Sequence, residues 1–223
     1  MAAIGKYFVL AGLLVLSNFS ARAADLVDAW IAAQVGLHTW TADTVQTRSF
    51  KTLTQPLVSS GKVWVAVPDR FRWELGQPAQ TIALRQPESL TIIYPRLKRA
   101  EKYSLAAGQT GPWKDALALL EASFPRSRAS LEAQFQILAL TQTNGVASLT
   151  LQPRSAAARK FVARLEISFR ADDFSPVGTR LVFSDGSSLR NEFSHSVLNA
   201  PLEPQLFEAK LEADFTVVEP MKP

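Results

Sequence analysis

Side chains that could do chemistry are few in this sequence, and they are scattered. The two histidines, His38 and His195, lie far apart, and neither sits at ligand spacing from another donor. Asp185-Gly186-Ser187-Ser188 sets a carboxylate beside two hydroxyls, with His195 further on. These are the residue types of a nucleophilic Ser/His/Asp site, and a hydrolase using Asp185, Ser187 or His195 is one reading. Asp-Gly, however, is also strong hairpin chemistry, and Asp172-Asp173 has the look of an ordinary turn. There is no G-x-S-x-G elbow, phosphate-binding loop or H-E-x-x-H helix, and no cysteine. The expectation is a protein that is not an enzyme and that uses no metal and no cofactor.

What the chain has in quantity is rings and aliphatic side chains: five Trp, thirteen Phe and 47% hydrophobic residues. Their arrangement is clearest in Gly61–Leu75. Gly61-Lys62-Val63-Trp64-Val65-Ala66-Val67 is β-branched and aromatic, Pro68-Asp69 is turn chemistry, and Phe71-Arg72-Trp73-Glu74-Leu75 alternates strictly. Two neighbouring strands are expected, with Phe71, Trp73 and Leu75 on one face and Arg70, Arg72 and Glu74 on the other.

The elements around this stretch follow the same logic. Asp25 is a plausible N-cap for a helix with Leu26, Ala29, Trp30, Ala33 and Leu37 on its apolar face. Trp40–Phe50 reads as a strand and Thr52–Ser60 as a turn. After Leu75, Gln80–Arg85, Leu90–Tyr94 and Arg99–Leu105 read as short strands separated by Pro-containing turns. Gly108–Pro125 changes character: Trp113, Ala116, Leu117 and Leu120 form a helical stripe ending at Pro125, and Ser127–Gln134 adds a short helix with Leu131 inside. Strands resume over Phe135–Thr141 and Ala147–Gln152 around Asn144-Gly145. Ala163–Arg170, Thr179–Ser184, Leu189–Val197 (Leu189, Phe193 and Val197 on one side) and Asp214–Val218 follow, with one helical turn over Gln205–Lys210. About ten or eleven strands in a mainly β antiparallel meander result. Twisted strands in that number enclose more volume than one layer of side chains fills. Burying one methylene contributes about 0.8 kcal/mol, so a cavity taking about ten gains roughly 8 kcal/mol before ordering costs. Carriage of a greasy guest therefore needs no catalytic residue.

Met1–Ala23 has one early positive charge, an apolar run over Tyr7–Leu16 and an Ala21-Arg22-Ala23 cleavage signature, the pattern of an exported leader. The expectation is a cleaved signal over 1–23 and a single domain over 24–223, working as a monomer in a bacterial periplasm. Losing Lys6 and Arg22 lowers the net charge from +4 to +2, too little to argue for nucleic acid. Arg70 and Arg72, with Arg96, Lys98 and Arg99 on a neighbouring turn, are expected on a solvated face or facing acidic partners or headgroups.

The order of leader, N-terminal helix, Gly61-Lys62-Val63-Trp64-Val65 running to Pro68, Phe71-Arg72-Trp73-Glu74 and Gln77-Pro78 resembles the LolA family of periplasmic carriers. Leu90–Tyr94 before Pro95, the mid-chain helices and the Asp185-Gly186-Ser187 hairpin match in order. The resemblance implies an unclosed antiparallel half-barrel with a helical lid on its concave face. It implies carriage of lipoprotein acyl chains from an inner-membrane ABC transporter of LolCDE type to an outer-membrane acceptor of LolB type. Phe71 matches a family phenylalanine important for exchange with the transporter, whereas Val67 stands where the family often has a lid-holding arginine. A LolA-like carrier of another lipid on a dedicated export route is the alternative. The candidate lipid-binding residues are Trp64, Phe71, Trp73, Leu75, Ile82, Leu84 and Ile92 from the first strands, Leu117 and Leu120 from the helix, and Leu165, Ile167, Phe169 and Phe183 from the later strands.

Overall fold

Period-two alternation becomes one twelve-stranded sheet in the computed structural model, which describes residues 25–105 and 122–220. The first meander is β1 (Thr39–Ser49), β2 (Leu57–Ala66), β3 (Arg70–Leu75), β4 (Thr81–Gln86), β5 (Ser89–Tyr94) and β6 (Arg99–Ser104). The second is β7 (Phe135–Thr143), β8 (Val146–Pro153), β9 (Val162–Arg170), β10 (Pro176–Phe183) and β11 (Ser188–Leu198), with β12 (Thr216–Val218) last. The strand order β12-β6-β5-β4-β3-β2-β1-β11-β10-β9-β8-β7 joins the two meanders at the β1–β11 seam. β7 and β12 end the sheet without pairing to each other, so the half-barrel is unclosed, as expected, with twelve strands rather than ten or eleven. The last strand departs from the meander, because β12 pairs parallel to β6.

Local chemistry explains the tight connections. Asn144 and Gly145 both take positive φ, 51° and 77°, as a two-residue hairpin whose twist matches its strands requires. The stretch expected as a turn before Gly61 is largely strand: Leu57–Ser60 pairs with Val45–Arg48 and lengthens β2. The buried apolar residues spaced two apart in the second half of β2 dominated the sequence pattern, while its first half, Leu57–Ser60, is exposed and follows Pro56.

Strand β2 comes unusually close to β3. A Cβ added to Gly61 would sit 1.8 Å from the Glu74 carbonyl oxygen, and one at Gly178 in β10 would sit 2.6 Å from that of Asn191. Glycine at both places lets neighbouring backbones approach where any other residue would collide.

Three α-helices lie among the described residues, beside two 3-10 turns at Pro95–Leu97 and Pro204–Phe207. α1 (25–35) buries Val27, Trp30, Ile31 and Gln34, spaced as one helical stripe. That is a rotation from the expected face, since Ala29 is exposed. Trp30 sets the phase by stacking on Phe169 of β9, ring centroids 5.0 Å apart and planes within 6°. α2 (Arg128–Gln134) is capped by Ser127 and Ser130 in a reciprocal box and buries Leu131, as expected. α3 (Ala156–Arg159) is a single turn capped by Ser155. The helix expected over Gly108–Pro125, with Leu117 and Leu120, lies outside the described residues as far as 121, and from 122 to 127 the chain is turns and bends. The expected leader over 1–23 lies outside them too.

Replacing Gly61 by alanine is expected to lower stability by about 3 kcal/mol, since the Glu74 backbone must move. That corresponds to a Tm lower by roughly 6–12 °C in a domain of this size, read by thermal unfolding. An unchanged Tm would show that the close approach is not needed.

Candidate functional site

The inner face of the sheet is the one covered by α1 and residues 122–135. It carries two apolar clusters. One joins Leu149, Leu151, Leu165, Ile167 and Phe169 of β8 and β9 to Trp30 of α1 and Leu131 of α2. The other joins Trp40, Ala42, Val63, Val65, Phe71, Leu90 and Tyr103, with Trp73, Ile92, Phe124 and Phe193 packed against them. Rings floor the second cluster. Phe193 meets Trp40 edge-on at 4.8 Å and Trp73 at 5.8 Å, and Phe124 meets Trp40 at 5.7 Å.

Strand register decides which candidate residues share this floor. Paired residues of antiparallel strands project to the same face. Val65, Phe71, Arg85, Leu90 and Tyr103 form one row across β2 to β6. Val63, Trp73, Ala83 and Ile92 form the next row. Phe71, Trp73, Ile92, Leu165, Ile167 and Phe169 are thus on the inner face, with Leu75 on it at the end of β3.

Three candidates are not. Trp64 pairs with Arg72, and Arg72 with Leu84, which puts Trp64, Ile82 and Leu84 on the outer face. There Ala66 and Leu84 are buried with Phe207, and Trp64, Leu202 and Leu206 pack against this cluster. The C-terminal segment holds this arrangement by hydrogen bonds from Arg72 Nη1 to the Leu206 carbonyl (3.3 Å) and from Gln86 Nε2 to the Phe207 carbonyl (3.0 Å). Arg70 lies over the Phe207 ring at 5.6 Å. Phe183 is half-buried at the end of β10 opposite Val162, outside all three clusters. Val197 also changes sides. One extra residue in β11 makes a bulge opposite Thr41–Asp43, with His195 at φ 50°, so Val197 faces outward while Phe193 faces inward.

A cavity of about 330 Å³ opens at one end of the second cluster, between the β2–β3 connection and residues 122–135. Val65, Val67, Phe71, Phe124, Leu131 and Phe135 line it, with Arg85 and Arg126 adding charge. Sequence reasoning overlooked Val65, Val67, Leu90, Tyr103 and Phe193 as floor residues. The alternation of Val63, Val65 and Val67 could have found Val65 and Val67, but only strand pairing and ring contacts add the others.

At the β6 side of the floor, Glu101 accepts a hydrogen bond from the Tyr103 hydroxyl (2.7 Å) and an ion pair from Arg99 (2.8 Å). Burial first, and then the Glu101 hydrogen bond, push the Tyr103 phenol well above its usual range. Burial, then the Glu101 charge, raise Tyr94 as well. The residues that could have formed a nucleophilic site do not assemble one. The Ser187 hydroxyl and N–H both donate to Asp185 Oδ1 within a turn (2.6 and 2.8 Å), and His195 Nδ1 meets Asp43 (2.9 Å) on an exposed stretch. The Ser187 hydrogen bonds hold the Asp185 carboxyl below the usual range, the signature of a turn. His38 is exposed and uses its backbone N–H, to Asn199 Oδ1 at 2.8 Å. Among the described residues, no group of three or more His, Cys, Asp or Glu side chains could hold a metal ion, and no helix is long and apolar enough to cross a membrane.

The family model for the outer membrane lipoprotein carrier protein LolA matches residues 36–210, a span that includes the whole inner floor. The chain belongs to the LolA family. No curated protein matches the sequence. Among solved structures, an uncharacterized conserved protein from Thermus thermophilus superposes with a TM-score of 0.50 at 12% identity, over 90% of this chain and 98% of that one. A DUF1329 family protein from Desulfovibrio piger gives 0.48 at 11% identity, over 84% and 96%. A LolA superfamily protein from Nitrosomonas europaea gives 0.41 at 9%, over 81% and 96%. At such identities these likenesses concern the fold alone.

Because the Tyr103 phenol is raised, its contribution is complete below pH 10.0, the unperturbed value, and is lost as pH rises through the higher folded value. Tyr103→Phe is expected to cost about 1 kcal/mol at neutral pH. The gap to wild type should stay constant up to about pH 10 and shrink above it, measured by urea unfolding across pH 7–11. A gap independent of pH would refute the buried phenol–carboxylate pair.

Proposed function

We propose that the chain is a periplasmic carrier, exported by the leader over 1–23 and folded as one domain over 24–223. It holds the acyl chains of lipoproteins against the inner face. It accepts them from an inner-membrane ABC transporter of LolCDE type and delivers them to an outer-membrane acceptor of LolB type, acting as a monomer without catalysis, cofactor or nucleic acid. The observation that carries this reading is the ring floor of Phe71, Trp73, Trp40 and Phe193 running into a cavity lined by Val65, Val67, Leu131 and Phe135. A cavity of about 330 Å³ falls at the small end of ligand sites. Further chains would lie along the floor rather than inside the cavity.

A second reading, carriage of a different lipid on a dedicated export route, is favoured by Val67. It lines the cavity and packs with the floor cluster, where the family often supplies an arginine. The cations lining this end are instead Arg70, Arg85 and Arg126. Lipid mass spectrometry on the protein isolated from its native periplasm decides between the two, by finding triacylated peptides or some other lipid.

The folded protein is expected to take up an anthroyloxy-labelled fatty acid. Phe71→Glu, checked by circular dichroism to retain the β spectrum, should bind it at least about tenfold more weakly, as expected when a carboxylate replaces a buried ring. Folded wild-type protein that takes up no probe would sink the carrier reading.

A further inference from the structure

The inner face is not uniformly apolar. Thr44 and Gln46 of β1, Asn191 of β11 and Thr179 of β10 make a polar seam between its two apolar clusters. Gln46 Nε2 donates to Asn191 Oδ1 (3.0 Å), and Asn191 Nδ2 donates to Thr179 Oγ1 (3.0 Å). These groups satisfy one another. Two atoms beside them do not: Thr44 Oγ1 and Trp73 Nε1 are buried and have no hydrogen-bond partner. Thr44 is only 2% exposed.

Both atoms belong to side chains that meet the same ring. Thr44 is the register partner of Phe193, and the Trp73 ring lies 5.8 Å from it. Leaving a buried polar group unmatched is costly, and two on one ring floor are a cost that folding alone does not explain. Indole Nε1 can only donate, and a threonine hydroxyl can donate or accept. The missing partner is therefore an acceptor.

Resting on the carrier reading, we infer that Thr44 and Trp73 form a subsite for the carbonyl oxygen of an ester or amide linkage in the bound lipid. The apolar arms on either side of that linkage would extend over the two clusters, and the linkage would cross the seam. A hydrocarbon arm leaves both atoms unmatched, and an ether oxygen, a poorer acceptor than a carbonyl, matches them weakly. The site thus reads how the chains are attached, not only that they are greasy.

Displacement of the anthroyloxy fatty acid by detergent-dispersed dipalmitoylglycerol, a diester, and by dihexadecylglycerol, its diether counterpart, tests this. The wild-type protein is expected to bind the diester about five- to thirtyfold more tightly. Trp73→Phe keeps a ring and removes the donor, and Thr44→Val keeps the shape and removes the hydroxyl. The double variant, with its fold confirmed by thermal unfolding, is expected to bring the preference to within about twofold. Equal affinity of the wild type for the two lipids, or a preference that survives in the folded double variant, overturns the subsite and leaves the carrier reading standing. Displacement by neither lipid overturns both.

Discussion

An unclosed sheet with one apolar face has to keep water off that face, and most of this architecture answers to that constraint. Closing a barrel would hide the inner surface. Here the sheet stops at β7 on one side and β12 on the other, and cover must come from elsewhere. Trp30 provides it over β9 by stacking flat on Phe169, a contact that also fixes the rotation of α1. Residues 122–135 provide it across the middle, with Ala122 in one cluster and Phe124 against Trp40 in the other. The Arg128–Asp28 ion pair between α2 and α1, 2.9 Å but exposed, contributes little beside these apolar contacts.

Cover of the outer face is what corrects the expected site. The segment after Asn199 runs over β2 to β4, and Phe207 is buried against Ala66 and Leu84. Trp64, Ile82 and Leu84 therefore have an ordinary structural task. Lys98 pairs with Asp214 and Glu212 near the point where β12 joins β6, and β12 shields what would otherwise be a bare edge. Two faces of the same strands are buried for different reasons, one as core and one as the candidate binding surface.

Much of the fold was legible because it rests on local chemistry. The Asn144-Gly145 and Asp185-Gly186 turns, the short helix before Phe135 with Leu131 inside and the strict alternation of Phe71-Arg72-Trp73-Glu74 each depend on residues within one turn or strand. The site was legible in part. The alternation of their own strands puts Phe71 with Trp73, and Leu165 with Ile167 and Phe169, on shared faces, whereas Ile92 joins them only by register and Val197 was misplaced by a one-residue bulge that no nearby signal announces.

Local chemistry along the chain settles that it is a β-meander, where several turns fall, and which residues share a side in strands without a bulge, because these follow from backbone stereochemistry and a side-chain period of two. It does not determine which side is inside. In β2 apolar residues occupy both faces, and in β4 the larger ones, Ile82 and Leu84, occupy the outer face, so alternation alone is ambiguous in one strand and misleading in the other. Only the register between strands, the stacking of Trp30 on Phe169 and the C-terminal segment over Trp64 break that symmetry. Each is a contact between residues distant in the chain, and its energy exists only once the sheet has curved.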